Sequence, residues 1–232
     1  MSPFTPHLSP RVIALVPMRH HSERVRGKNY RSFAGRPLYH HIITSLLACP
    51  LVDEVVIDTD SPMIVEDTSQ QFPQVRLIER PESLRAGTVP INEVLLYDVM
   101  HVEADYYVQT HSTNPLLRSE TITRAIQQFL DDNPMHDSLF SVTRVHTRLW
   151  DGLVRAINHN PAILLRTQDL PPIYKENSCL YIFSRKTMET RHNRIGERPL
   201  LFEIERIEAW DIDEELDFQI AEYLYLKHRK KK

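Results

Sequence analysis

Glycine is scarce in this chain. Only five of its 232 residues are glycine, and Gly27 alone falls in the loop after the first apolar run. A glycine-rich phosphate loop, which holds anions on bare backbone N–H groups, is therefore excluded there. Cysteine is scarcer still, with only Cys49 and Cys179. Two cannot build a disulfide scaffold or a CxxC metal site. Both lie among apolar neighbours and read as buried thiols of a reducing compartment, with the cytoplasm as the default location. No stretch reaches the ~18 to 20 consecutive apolar residues of a membrane span. Residues 1–10 carry three prolines and no apolar h-region, so they read as a flexible leader and not as a signal peptide. Charge of one sign is not in excess either: 28 Lys and Arg against 31 Asp and Glu give a net charge of −3. That balance speaks against nucleic acid as a partner. The basic run at 227–232 reads as a solvated, frayed tail.

What the chain does have is alternation. Strand-like runs at 11–16, 54–57, 75–78, 105–109, 138–142 and 178–183 are separated by helical patterns at 36–48, 62–71, 92–102, 119–130 and 213–227. Ser119 is the expected N-cap of its helix. Such β–α alternation predicts an α/β fold with a mainly parallel sheet and helices on both faces. The pattern loosens at 143–176, which reads as a hairpin or excursion beside the sheet. With no internal repeat, residues 11–232 form one predicted domain. Ligands of open α/β sheets bind beyond the carboxyl ends of the strands. The segments to inspect are therefore 17–29, 58–60, 79–90, 109–118 and 211–213.

The first of these holds Arg19, Arg24, Arg26 and Lys28 within ten residues, with Ser22 and Asn29 as neutral donors. Arginine forks and a lysine point charge can surround a polyphosphate. A solvated loop in which Glu23 pairs with a neighbouring arginine is the plainer alternative. The last segment reads Trp210-Asp211-Ile212-Asp213. Residues two apart on an extended chain face the same way, so Asp211 and Asp213 can address one cation. Two carboxylates with open positions suit Mg²⁺, which keeps waters and takes phosphate oxygens. Alternatively, Asp213 simply caps the closing helix.

Several motifs then run in order through nearly the whole chain. They are Pro17-x-Arg19-x-x-Ser22 with Lys28-Asn29, Gly35-x-Pro37-Leu38, VVIDTDSPMIVED (55–67), RPESL (80–84), THSTNPLLR (110–118), NSCLYIF (177–183) and DIDEELDFQIAE (211–222). Together they resemble the acylneuraminate cytidylyltransferases, the CMP-sialic acid synthetases. The resemblance implies a Rossmann-like three-layer nucleotidyltransferase fold with a small dimerisation excursion at 143–176, a homodimer, and neither nucleic acid nor membrane as partner. It further implies Mg²⁺-dependent transfer of CMP from CTP to the anomeric hydroxyl of a nine- or eight-carbon ulosonic acid, releasing pyrophosphate.

By the same resemblance Arg19, Lys28 and Asp211 are catalytic. Arg19, Ser22, Arg24, Lys28, Asn29 and Arg80 hold the nucleotide, with Arg80 against the base. Gln109, His111, Asn177 and Tyr181 face the sugar, and Asp211 and Asp213 hold the metal. The chain also departs from the pattern. Ser22-Glu23-Arg24 stands where the family reads Ser-Lys-Gly, His20 and His21 replace small residues, and Arg85-Ala86-Gly87 replaces Ala-x-Asp. The family's glutamine before the turn falls at His111, with Gln109 two residues earlier, and His111 reads equally as a buried core histidine. Two other functions compete: a nucleotide-sugar glycosyltransferase using the DxD, and a nucleotide- or sugar-binding homologue without catalysis. The DxD directly before the last helix counts against the first. Retention of both aspartates counts against the second.

Overall fold

The computed structural model describes residues 10–229, so the expected leader, apart from Pro10, and the end of the basic tail lie outside the described residues. The first strand, β1 (Val12–Met18), is buried along its whole length. Its side chains alternate: Val12, Ala14, Val16 and Met18 enter one core, while Ile13 and Leu15 enter another. Both faces being covered is why the run reads as continuously apolar.

After β1 the chain makes a two-stranded hairpin of β2 (Ser32–Phe33) and β3 (Arg36–Pro37) before helix α1 (Tyr39–Leu47). The helix expected from residue 36 thus starts three residues later. Ala34 and Gly35 both take positive φ at the hairpin turn, which a helix does not allow. Next come β4 (Glu54–Thr59), α2 (Pro62–Gln71), β5 (Arg76–Glu79), α3 (Ile91–His101), β6 (Tyr106–Thr110) and α4 (Ser119–Asp132). Helix α2 matches its expected bounds, with the Ser61 side chain accepting from Ile64 N. Ser119 is not the cap of α4; Arg118 holds that place and caps nothing with its side chain. Its guanidinium and backbone N–H go instead to Glu208.

The chain closes with β7 (Ser138–Val145), β8 (Ile173–Ser184), α5 (Arg185–Arg191), β9 (Pro199–Glu203) and α6 (Glu215–Arg229). The seven-stranded sheet has the order β5-β4-β1-β6-β8-β7-β9, and β8 alone runs antiparallel to its neighbours. Helices α1, α2 and α4 cover one face, α3 and α5 the other. The mainly parallel three-layer α/β expectation therefore holds. Residues 146–172, between β7 and β8, hold only an isolated bridge at Trp150–Ala156 and a 3₁₀ turn at 167–169. Both cysteines are buried and free. No helix among the described residues is long and apolar enough to cross a membrane.

Strand order reverses at β1, with β4 on one side and β6 on the other. The ends of β1, β4, β5 and β6 lie at one edge, and the antiparallel β8 brings residues 176–178 to that same edge. A third apolar cluster completes the layout. Val25, Phe33, Leu38, Ile212, Phe218 and Ala221 pack together. Val25 belongs to the basic loop and Ile212 to the DxD, so burying these two side chains draws the loop and the carboxylates together.

Candidate active site

The loop after β1 is shaped by Gly27. Its φ of +64° is left-handed, and a Cβ there would fall 2.8 Å from the Tyr30 ring. Gly27 starts a 3₁₀ turn at Lys28–Tyr30, with Arg31 N donating to its carbonyl at 2.9 Å. The turn points Lys28 inward, where Nζ donates to the Ile212 carbonyl at 2.6 Å. Burial lowers the Lys28 pKa, opposed by the charges of Asp211 and Asp213. Asp211 moves the other way: burial raises its pKa, helped by Asp213 and opposed by a hydrogen bond from Thr113.

A polar cleft of about 360 Å³ opens beyond β1 and is lined by Arg19, Ser22, Arg24, Lys28, Arg80 and His111. The expected nucleotide residues are thus brought to one hollow, while Arg26 stays exposed outside it. Asn29 also reaches the wall, but its amide is already engaged. Nδ2 donates to the Arg19 carbonyl at 2.8 Å, and Oδ1 accepts from Ser112 Oγ at 2.7 Å. Asn29 therefore holds the loop against the end of β6. His20 ties the other side, donating its backbone N–H to Asp60 and contacting Ser61 Oγ through Nδ1 at 2.8 Å. Opposite, Gly87 leaves room for Arg19 and Glu23. A Cβ at position 87 would fall 2.9 Å from Arg19 Nη1 and 3.0 Å from Glu23 Oε1.

A second hollow of about 480 Å³ is lined by Lys175, Glu176, Asn177, Trp210, Asp211 and Asp213. It joins the first through two contacts, Lys28 on Ile212 and an Arg24–Asp213 ion pair at 2.7 Å. Asp213 does not cap α6 with its side chain. Asp217 Oδ2 takes that part, accepting from Asp213 N and Glu214 N. Asp211 Oδ1 is buried without a hydrogen-bond partner. An orphaned carboxylate oxygen beside a second carboxylate and a cation-lined cleft fits a hard divalent cation. No group of three or more His, Cys, Asp or Glu among the described residues could enclose a metal by itself. Any ion at Asp211 and Asp213 must complete its shell with water or substrate oxygens.

The expected sugar-facing residues divide. Asn177 is spent on the β7–β8 irregularity, accepting from Ser141 Oγ at 2.6 Å and donating to Thr143 Oγ1 at 2.9 Å. Gln109 and His111 belong to a network that sequence reasoning missed, centred on Arg194. Arg194 donates to Gln109 Oε1, Gln109 Nε2 lies 3.0 Å from His111 Nε2, and the guanidinium stacks 3.5 Å above the Tyr181 ring. Burial, then the nearby Arg194 and Lys28 charges, pull the His111 pKa down to about 3. Burial pushes Tyr181 up to about 12, and its hydroxyl donates to Glu176. Residues 192–198 follow a short polar helix and carry no periodic pattern, so nothing local in the sequence marks Arg194.

The family comparison decides what this junction of cations and carboxylates belongs to. The cytidylyltransferase family model matches residues 13–230. The chain belongs to the cytidylyltransferase family. Relatives include the CMP-N,N'-diacetyllegionaminic acid synthase of Legionella pneumophila, 28% identical over 229 residues, covering 92% of this chain and 96% of that one. A pseudaminic acid cytidylyltransferase of Campylobacter jejuni is 23% identical over 225 residues, covering 92% and 95%. Among solved structures, a CMP:2-keto-3-deoxy-manno-octonic acid synthetase complexed with CTP superposes with a TM-score of 0.70. It is 18% identical, over 94% of this chain and 99% of that one. A 4-diphosphocytidyl-2C-methyl-D-erythritol synthase from Anaerococcus prevotii also reaches 0.70 at 11% identity, over 94% and 96%. The acylneuraminate-type cytidylyltransferase family and the nucleotidyltransferase fold thus agree with the motifs. The cytidylyltransferase carries its basic loop and its DxD in contact.

Proposed function

We propose that this cytidylyltransferase moves CMP from CTP to the anomeric hydroxyl of a sialic-acid-like ulosonic acid. The observation that carries the reading is the seat of Lys28 on Ile212, between Asp211 and Asp213. It puts a cationic triphosphate cradle and two carboxylates at one point. The relatives' own names, which include legionaminic, pseudaminic and 3-deoxy-manno-octulosonate enzymes, favour an ulosonic acid acceptor.

In the reaction the acceptor oxygen forms a bond to the α-phosphorus of CTP, and the bond to the β-phosphate oxygen breaks. Pyrophosphate leaves, and the hydroxyl proton passes to water. Arg19, Arg24 and Lys28 would face the triphosphate and stabilise charge as it grows on the leaving group. Ser22 adds a neutral donor, Arg80 lies on the nucleotide side of the cleft, and Asn29 holds the loop in shape. Asp211 and Asp213 would hold Mg²⁺, which when bound supplies positive charge to the phosphate oxygens. His111 would line the acceptor side, whereas Gln109 and Tyr181, both fully buried and outside the lining of either hollow, would act only through the Arg194 network behind it. Asn177 contributes through the strand it shapes.

We further read the protein as a homodimer joined through the 143–176 excursion. Leu153, Val154 and Leu164 there are 73%, 78% and 87% exposed. Large apolar side chains this exposed along one segment favour a protein partner. Sedimentation at micromolar concentration checks this, a dimer being expected and a monomer contradicting it. The function itself is tested by pyrophosphate release from CTP across a panel of ulosonic acids, with and without Mg²⁺.

A further inference from the structure

We propose that Asp58 and Asp98 form a carboxyl pair that holds one proton between them and, through Asp58, fixes Arg80 in the wall of the cleft. The positioning part of this inference rests on reading that cleft as the CTP site.

Three elements meet here. Asp58 lies near the end of β4, Asp98 in α3, and Arg80 directly after β5. All three are almost sealed from water, at 1%, 1% and 3% exposure. Arg80 Nε donates to Asp58 Oδ1, and Nη2 reaches the Asp58 carbonyl at 3.4 Å. The Arg80 carbonyl is held in turn by Arg85 Nε at 2.8 Å. Nη1 has no hydrogen bond among the described residues, and Arg80 lines the cleft.

One guanidinium thus faces two buried carboxyl groups. Asp58 Oδ2 and both oxygens of Asp98 have no N–H or hydroxyl donor among the described residues. The side chains of Asp58 and Asp98 nevertheless meet each other at hydrogen-bonding range. Two anions in that contact would repel, and buried carboxylate oxygens without donors are costly. A single proton resolves both difficulties. Asp98 then donates an O–H to Asp58 Oδ2, and Asp58 stays ionised to receive Arg80.

The surrounding charges fit this division. Burial and the Asp58 charge drive Asp98 well above the ordinary carboxylate range, with Arg80 opposing. For Asp58, burial pushes upward and is largely opposed by Arg80 and the Asp98 hydrogen bond, with Asp60 a smaller upward push, so it is raised while Asp98 is driven well above the ordinary range. Asp58 and Asp98 are accordingly positioning residues, acting through Arg80. Their proton sharing resembles that of other carboxyl pairs too close to ionise together.

Infrared difference spectroscopy of the whole protein tests the proton directly. A neutral carboxyl C=O band at about pH 8 is expected, well above where a free aspartate ionises. Asp98→Asn should remove that band, because the amide supplies the donated N–H without a titrating group. A wild-type protein with no such band, or a band whose intensity Asp98→Asn leaves unchanged, overturns the pair.

Calorimetry tests the positioning. Asp98→Asn should bind CTP within about twofold of wild type. Asp58→Ala, with its fold checked by thermal melting, should lose about tenfold in CTP affinity while kcat at saturating CTP falls much less. Unchanged affinity in Asp58→Ala overturns the positioning role. Wild-type protein that binds no CTP refutes the reading of the cleft and this role with it, whereas the infrared band stands or falls separately.

Discussion

Lys28 Nζ and the Ile212 carbonyl are 2.6 Å apart, although 184 residues separate them in the chain. This contact unites two features that are each weak alone, a basic loop and a DxD. The packing of Val25 with Ile212 holds it in place. Lys28→Ala is therefore expected to lower kcat/KM for CTP by about 10²-fold, through both binding and rate. The buried ammonium contributes nothing apolar to the core, so the thermal midpoint should change little. Steady-state pyrophosphate release and a melting curve check the two halves.

Asp211→Asn separates rate from binding. In the proposed reading the nucleotide is held by Arg19, Arg24, Lys28 and Arg80, which line one cleft, so CTP affinity should stay within about threefold. Turnover should fall by about 10³-fold, since a carboxylate that holds a metal acts mostly on the transition state. Calorimetry beside single-turnover kinetics reads the difference. Equal losses in both would count against the metal assignment.

Gly87→Ala is a test of spacing. The added methyl would meet the flexible ends of Arg19 and Glu23 and no backbone. Those ends can move, so stability should stay within about 0.5 kcal/mol. Arg19 would be displaced from the cleft, and KM for CTP should rise severalfold. A lower melting temperature with unchanged KM would show that Gly87 matters to the fold alone.

His111 gives a pH dependence with a definite sign. Its pKa falls from 6.5 to about 3 in the folded protein. The unfolded chain then binds a proton below 6.5 that the folded one refuses, so this site's stability is present above 6.5 and lost as pH falls towards 3. His111→Gln should melt with a shallower decline across that range. It should also leave any activity limb near neutral pH in place, because His111 does not titrate there. Paired melting curves and pH–rate profiles decide both points.

The sequence was legible where burial left a rhythm. Val12–Met18 is covered on both faces and appears as an unbroken apolar run, and α2 announces itself with Ser61 followed by Pro62. Helix α5 and strand β9 leave no such rhythm. Only Thr187 and Met188 of α5 are buried, and β9 is an edge strand that pairs with β7 alone. The first half of β8 is largely exposed and polar, which hid that strand's true start at Ile173. The site followed the same rule. Arg19, Lys28, Asp211 and Asp213 carry a type and a spacing that suggest chemistry. Arg194 and the Asp58–Asp98 contact exist only because separate elements converge, and no local pattern encodes them. Asn29 and Asn177 have the expected identities, but their amides serve the backbone around the site.

The most direct measurement is pyrophosphate release by the whole protein with CTP, Mg²⁺ and a panel of ulosonic acids, with an EDTA control. The panel includes N-acetylneuraminic, legionaminic and pseudaminic acids and Kdo. The account expects release that requires CTP, the metal and one acid of the panel, and that disappears in Lys28→Ala and Asp211→Asn. Release that persists undiminished in EDTA or in both variants, or a protein that binds no CTP, would contradict it.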